Sequence, residues 1–307
     1  MSGLALFGLK YPSLLSFDKD CHNEPRIRHN LLSLYGIKQV PSDTYLRERL
    51  DEVSQVGLQK GIDRIIAQLQ RGKVLECYRY WQDHLLIAID ASGYFSSHEV
   101  RCDNCCVKNH RDGTQTFYHQ MLAAVVVHPD YRNVFPLMLE PIIKTDGMTK
   151  NDCEHNALKR LLLNLRNSHP HLKIIVTLDG LYADGVIIKL LKKLNIHFII
   201  SAHEKDLKYL YEFYAYSRKG EMQKCEDKKE QKYSWANQLP INDTHHECEV
   251  NLVCFEERTA KRVVRYDLVT DISLDKDSAL LITKGGRARW HIENQQFPLW
   301  LKTTAYE

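Results

Sequence analysis

Apolar positions along this chain fall into two rhythms. Up to about residue 80 they recur at helical spacing. Leu46, Leu50 and Val53 would share one face of a helix, and Leu58, Ile62, Ile65, Ile66 and Leu69 a face of the next, which ends near Gly72. Ser42 ahead of Asp43 reads as the N-cap of the first helix, with the aspartate in its first turn. Gly57 reads as the break between the two. Glu24–Tyr35 is basic and partly apolar. Residues 1–80 are therefore predicted to form an α-helical N-terminal region.

Beyond residue 80 the apolar residues gather into short unbroken runs. Leu85–Ile89 has the form of a strand buried on both faces. Asp90 closes it. A carboxylate there cannot face the core without a partner. It is expected at the mouth of the sheet, or else as the cap of a turn through Ser92 and Gly93. Phe117–His128, with its apolar run Met121–Val127, and Val134–Glu140 read as two more strands, giving an antiparallel meander. Asp152–Asn167 then reads as a helix, with Asp152 and Glu154 in its first turn and Leu158, Leu161, Leu162 and Leu165 apolar. Ile174–Leu178 is a strand that again ends in an aspartate, Asp179, followed by Gly180. Asp184 has the position of a cap for a helix Val186–Leu194, and Ile196–Ser201 is a further strand. Three antiparallel strands followed by helix, strand, helix, strand is the order of an RNase H-like fold, an α/β mixed sheet flanked by helices.

A third carboxylate stands near the C-terminus, in Gly-Arg-Ala-Arg-Trp-His-Ile-Glu from Gly286 to Glu293. Arg289 and Glu293 are four apart and would share a helical face, with Trp290, Phe297 and Leu301 on the packed side. Between Asp179 and Glu293 there is far more chain than one helix and one strand need. Lys219–Lys232 reads as a solvated loop or an exposed helix face. Glu247–Phe255 and Lys261–Val269 alternate in part and would pair as a hairpin turning at Glu256–Thr259.

Composition adds bounds. The chain has 307 residues and a net charge of +3, enough for one large domain and a small one. Residues 1–80 hold twelve Lys or Arg against nine Asp or Glu, and the rest balance at thirty against thirty. This is not the strong basic bias of an obvious nucleic-acid binder, so any such binding must come from local patches. The run Met121–Val127 is far too short to span a bilayer, and the first ten residues do not resemble a signal peptide. A cytoplasmic protein is expected, with no membrane partner and with its nine cysteines as thiols.

Asp90, Asp179 and Glu293 in this order, the last within Gly-Arg-x-Arg-Trp-x-Ile-Glu-Asn-x-x-Phe, resemble the catalytic residues of the DDE transposases of insertion-sequence family 4. The resemblance runs from about Pro41 to about Phe297. It implies an RNase H-like catalytic domain over 81–307, with a mainly β insertion at about 203–272 before the last catalytic helix. The implied activity is metal-dependent DNA strand cleavage and strand transfer. Two Mg²⁺ or Mn²⁺ ions about 4 Å apart would be held by Asp90 between them and by Asp179 and Glu293, one on each. Arg289 would grip phosphate bidentately, and Arg287, on another face, less directly.

The implied partners are DNA, as element ends and target, and a second copy in a homodimer on that DNA. Arg26, Arg28, Arg47, Arg49, Lys60 and Arg64 would contact phosphates of an element end, unless the helical region is only a cap on the sheet. Lys208, Tyr209, Tyr211, Tyr214 and Tyr216 would touch DNA by charge and stacking, or else pack. Two departures stand out. Where the family has a tyrosine seven residues before the Glu and a lysine seven after, this chain has Gly286 and Trp300. Lys302 comes two places late, a rotation of about 200° on a helix, and Pro298 disfavours continuing that helix. The chain also stops fourteen residues after Glu293. These features suggest a C-terminally truncated copy with weak or absent strand transfer. The alternatives are a non-catalytic relic that still binds element ends, and an RNase H-like nuclease unrelated to transposition.

His98-x3-Cys102-x2-Cys105-Cys106 invites a different chemistry. A C-x2-C knuckle donates two tetrahedral zinc ligands, and His110, His119 or Cys153 would have to complete a structural zinc site. Otherwise Cys102 and Cys105 are reduced thiols in a turn.

Overall fold

The structure, a computed structural model, describes residues 1–147, 150–226, 229–260 and 262–292. They fall into two compact units that divide after Arg64.

The first unit is helical: α1 (Ser2–Gly8), α2 (Leu14–Asn23), α3 (Pro25–Tyr35), α4 (Asp43–Asp51) and the start of α5 (Gln55–Arg71). Ala5, Phe17, Cys21, Leu31 and Leu46 form its core. Local signals set its helix ends. Ser13 Oγ accepts from the Ser16 amide at the start of α2, Pro25 opens α3, and Gly36 ends it in the left-handed region at φ 65°. Ser42 caps α4 as expected, accepting from the Tyr45 amide at 3.3 Å. Gly57 is not the break. The chain interrupts the helices at 52–54, and Gly57 lies in the first turn of α5 because the Ser54 carbonyl already accepts from the amides of Gly57 and Leu58.

The second unit contains β1 (Arg79–Trp81), β2 (His84–Ser97), β3 (Cys106–Asn109), β4 (Gln115–His128), β5 (Tyr131–Ile142), α6 (Lys150–Ser168), β6 (Ile174–Leu178), α7 (Gly185–Lys193), β7 (His197–Ala202), α8 (Lys208–Tyr216), β8 (Gly220–Glu226), β9 (Lys229–Pro240), β10 (Glu249–Arg258), β11 (Val263–Thr270) and α9 (Lys276–Ala288). It is an α/β unit around one mixed sheet of eleven strands. β5, β4 and β2 are antiparallel neighbours, and β6 and β7 follow beside β2 in parallel. The unbroken apolar runs occupy the middle of this order, and Leu86–Ile89, Leu122–Val127 and Ile174–Val176 have no accessible surface. β11, β10, β9 and β8 then extend the same sheet, with β11 antiparallel to β7. Among the described residues no helix is long and apolar enough to cross a membrane.

Four expectations fail in detail. β2 does not stop at Asp90 but continues to Ser97, pairing with β4 all the way to Ser97↔Phe117. Burial ends at Ile89 while the ladder goes on, because a long β4 supplies backbone partners past the covered part of the sheet. An apolar run measures burial, not strand length. Lys219–Lys232 is not a loop or helix face but most of the β8–β9 hairpin, in register Gln223↔Lys232. Its charged side chains suit β8, a terminal strand of the sheet. The β10–β11 hairpin turns later than expected, since the strands stay paired as far as Arg258↔Val263. Trp290 is not packed but about half exposed.

The tyrosines of α8 divide. Tyr211 Oη donates to Asp267 Oδ2 at 2.6 Å and Tyr214 Oη to Ser234 Oγ at 2.8 Å, which ties the helix to β11 and β9. Tyr216 is 94% exposed.

Candidate active site

Asp90 lies where β2 leaves the covered part of the sheet, and its side chain is 19% exposed. Its Oδ1 accepts from the Ala91 amide at 2.8 Å. Asp179 stands just past the end of β6, more exposed, and its Oδ1 accepts from the Gly180 amide at 2.7 Å, capping a single 3₁₀ turn. The strands that carry them are parallel neighbours with Ala88 opposite Thr177. Each aspartate follows its member of that pair by two residues, so the two carboxylates emerge from corresponding positions on adjacent strands, where β6 ends and β2 runs on beyond it. Glu293, the third predicted carboxylate and metal ligand, lies outside the described residues.

Arg289 follows the last turn of α9 and reaches the sheet. Its Nη1 donates to Asp90 Oδ2 at 2.8 Å. The approach depends on glycines. A Cβ on Gly285 would stand 2.9 Å from Ile199 Cδ1 and 3.1 Å from Tyr80 Cε1, and one on Gly286 would stand 2.6 Å from Leu268 Cδ1. Tyr80 Oη donates to the Leu281 carbonyl at 2.5 Å and fixes the helix from the β1 side. The start of α9 is set by Asp275, which accepts from the amides of Asp277 and Ser278. Arg287 turns elsewhere, onto the Tyr266 ring and toward buried Glu257.

Sequence reasoning missed Tyr182. It is buried in the turn after Asp179. Burial holds its phenol far above the usual tyrosine range, the charges of Glu154, Asp90 and Asp179 add to this, and Arg289 opposes them. These four charged groups therefore all lie within electrostatic reach of one ring. Glu154 was expected only as a first-turn residue of α6, yet it is buried. Nothing in the local sequence marks either residue. The one available signal is that Tyr182 comes three residues after Asp179, in the turn that a strand-end aspartate caps.

Asp184 is not part of this group. It caps α7, accepting from the amides of Val186 at 2.7 Å and Ile187 at 2.9 Å, and it faces His155 Nδ1 at 3.2 Å. The other nitrogen of His155 donates to the Leu181 carbonyl at 3.0 Å, which braces the turn holding Tyr182.

Asp90 and Asp179 offer hard oxygen donors, a set that suits Mg²⁺ or Mn²⁺ rather than a soft metal. A different donor set lies farther along β2 and β4. Cys102, Cys105 and His119 bring two sulfurs and a ring nitrogen within 4.8 Å of one another. Of the other residues considered beside Cys102 and Cys105, His110 Nε2 pairs with Thr116 Oγ1 at 2.7 Å and the Cys153 thiol points to the Gly147 carbonyl.

No protein-family model matches the chain, and no curated protein matches it either.

Proposed function

We propose that this protein is a DDE transposase with an RNase H-like catalytic domain, which cleaves and joins DNA strands by metal-dependent phosphoryl transfer. The observation that carries this reading is the pair Asp90 and Asp179 at corresponding positions beside two adjacent parallel strands, with Arg289 brought against Asp90 from far along the chain. The strand order β5-β4-β2-β6-β7, three antiparallel and then two parallel, supports it.

In this reading Asp90 and Asp179, with Glu293, hold Mg²⁺ or Mn²⁺. When bound, such ions stabilise charge on the attacking and leaving oxygens of an in-line displacement. Arg289 places positive charge beside Asp90, where non-bridging oxygens of the scissile phosphate would lie, and it keeps Asp90 compensated before substrate arrives. His155 and the Asp184 cap hold the Asp179 turn. In the first unit, Arg26, Arg28, Arg47, Arg49, Lys60 and Arg64 are all exposed and are proposed to contact phosphates of element ends. The Lys284 and Trp290 side chains line a groove of about 450 Å³ with Arg287 and His291, which adds charge and a stacking surface near Arg289. We further propose a homodimer on DNA, in the cytoplasm.

The test is a cleavage and joining assay on duplex DNA carrying the sequences that flank the coding region, with Mg²⁺ and with Mn²⁺. Cleavage by the wild type is expected, and Asp90→Asn or Asp179→Asn should abolish it while DNA binding persists. Binding without cleavage by the wild type would leave a DNA-binding relic instead. Cleavage indifferent to the flanking sequence would favour a nuclease unrelated to transposition.

A further inference from the structure

The Cys102, Cys105 and His119 cluster has the dimensions of a metal site. The two sulfurs are 3.7 Å apart, and each is 3.3 Å from His119 Nε2. A tetrahedral zinc ion with bonds of about 2.3 Å to sulfur and about 2.0 Å to nitrogen would separate its ligands by about 3.8 Å between sulfurs and about 3.5 Å between sulfur and nitrogen. The sulfurs are too far apart for a disulfide, which needs about 2.05 Å.

The surrounding backbone is built to hold the group. The Cys105 amide donates to the Cys102 carbonyl, closing a tight turn, and the Cys102 amide donates to Cys105 Sγ at 3.3 Å. His119 comes from β4, opposite a shift of register in β2 between Gly93 and Phe95. The extra residue, Tyr94, stacks on the His119 ring with centroids 5.8 Å apart and planes 13° from parallel, which fixes the imidazole. Cys106 has no part in it, since its thiol is buried and points to the Ile142 carbonyl.

We infer that Cys102, Cys105 and His119 bind one Zn²⁺, with the fourth position open to solvent. Among the described residues no fourth His, Cys, Asp or Glu joins the group, and Cys102 is exposed. Two thiolates and an imidazole select zinc over the hard ions suited to Asp90 and Asp179. The ion would fasten the connection between β2 and β3 to β4. Tyr94 follows Asp90 by four residues, about 13 Å along the strand, so the zinc would stiffen the projecting ends of the two strands that pair at Asp90↔Ala123. This inference does not depend on the proposed reaction.

The test uses the full chain purified under reducing conditions. One zinc per chain is expected, and cobalt exchanged into the site should give the visible bands of a tetrahedral ion with thiolate-to-metal charge transfer in the near ultraviolet. Cys102→Ser and Cys105→Ser should lose the metal and the spectrum, whereas Cys225→Ser, at another exposed thiol, should keep both. Since a ligand variant could simply misfold, the wild type supplies a second readout. Zinc should shield Cys102 from iodoacetamide, and a chelator should raise its alkylation rate several-fold. Imidazole added to the cobalt form should shift its bands if the fourth position is open. No metal after reconstitution, retention by Cys102→Ser, or alkylation indifferent to chelator would each overturn the site, and an unmoved spectrum would overturn the open position.

Discussion

Arg289 and Asp90, 199 positions apart in sequence, meet at 2.8 Å where the covered part of the sheet ends, with side chains only 11% and 19% exposed. The pair joins the C-terminal end of α9 to β2. Removing one partner leaves the other charge poorly solvated, which is worse than removing both. Arg289→Met should lower stability by about 1–3 kcal/mol, and Asp90→Asn combined with it should cost less than the sum of the single changes. Urea denaturation of the four proteins of the cycle measures this. Additive losses would mean that the contact contributes no coupling.

Gly286 stands where the resembled family has a tyrosine, and the packing of α9 explains why a tyrosine does not fit. Its Cβ would press on both δ carbons of Leu268, at 2.6 and 2.9 Å, and Leu268 is itself buried. Gly286→Ala should cost about 1–3 kcal/mol. Gly286→Tyr should cost more and should separate Arg289 from Asp90. Denaturation midpoints check the first statement, and loss of the coupling in the Arg289–Asp90 cycle, repeated in the tyrosine background, checks the second.

Arg160 on α6 clasps the end of β5 from three directions. It donates to Glu140 Oε1 at 2.8 Å, to the Pro141 carbonyl at 2.9 Å and to both carboxylate oxygens of Asp146. The two carboxylate side chains are 10% and 6% exposed. Arg160→Met should destabilise the protein by about 3–5 kcal/mol, because it strands two poorly solvated carboxylates. Arg160→Lys should recover less than half of the loss, since a point charge cannot replace a planar fork. A near-neutral Arg160→Met in urea denaturation would contradict the clasp.

His197 Nδ1 lies 2.8 Å from Asp271 Oδ2, and Asp271 Oδ1 accepts from the Phe198 amide. The hydrogen bond to Asp271 raises the imidazole pKa in the fold, against the opposing effect of burial. A raised histidine pKa contributes stability that is complete below the unfolded value of about 6.5 and is lost as pH rises through the folded value. The wild type should therefore exceed His197→Gln by about 1 kcal/mol near pH 6 and by progressively less above that. His84, 5.0 Å away, has its pKa lowered by burial and has the opposite dependence, which is why the difference between the two proteins, rather than the wild-type curve alone, is the informative quantity. A difference that does not change with pH would mean that the imidazolium is not the form that the fold favours.

Much of the sheet was legible because its central strands are buried on both faces. Leu85–Ile89, Met121–Val127 and Ile174–Leu178 each show an apolar run that only a covered strand needs, and Ser42 and Asp184 mark helix starts by chemistry that acts within three residues. The strands at the far side of the sheet were less legible. β8 and β9 carry charged residues on a sparsely covered part of the sheet, and nothing in Lys219–Lys232 separates such a hairpin from a solvated loop. The continuation of β2 past Asp90 was hidden for a related reason, since its partner strand and not its own residues prolongs it. Tyr182 and Glu154 became visible only in the fold, where both are buried and the charges of Glu154, Asp90 and Asp179 act on the Tyr182 phenol. The cysteine knuckle was readable, and His119 stood among three candidates to complete it; strand pairing, which no local signal reveals, is what singles it out.

The direct bonding of β11 to β7 also bears on how the protein can be cut down. Residues 203–272 look like an optional insert when the chain is read in order, one whose excision leaves a smaller sheet. In the fold, β11 supplies the hydrogen-bonding partners of β7 from Ile199 to Ala202. Excision would bare the backbone of a strand whose Phe198, Ile199 and Ile200 are wholly inaccessible, creating a sticky template for other chains. A chain shortened this way would aggregate before any activity could be assayed, so functional dissection of this protein has to proceed by point substitution.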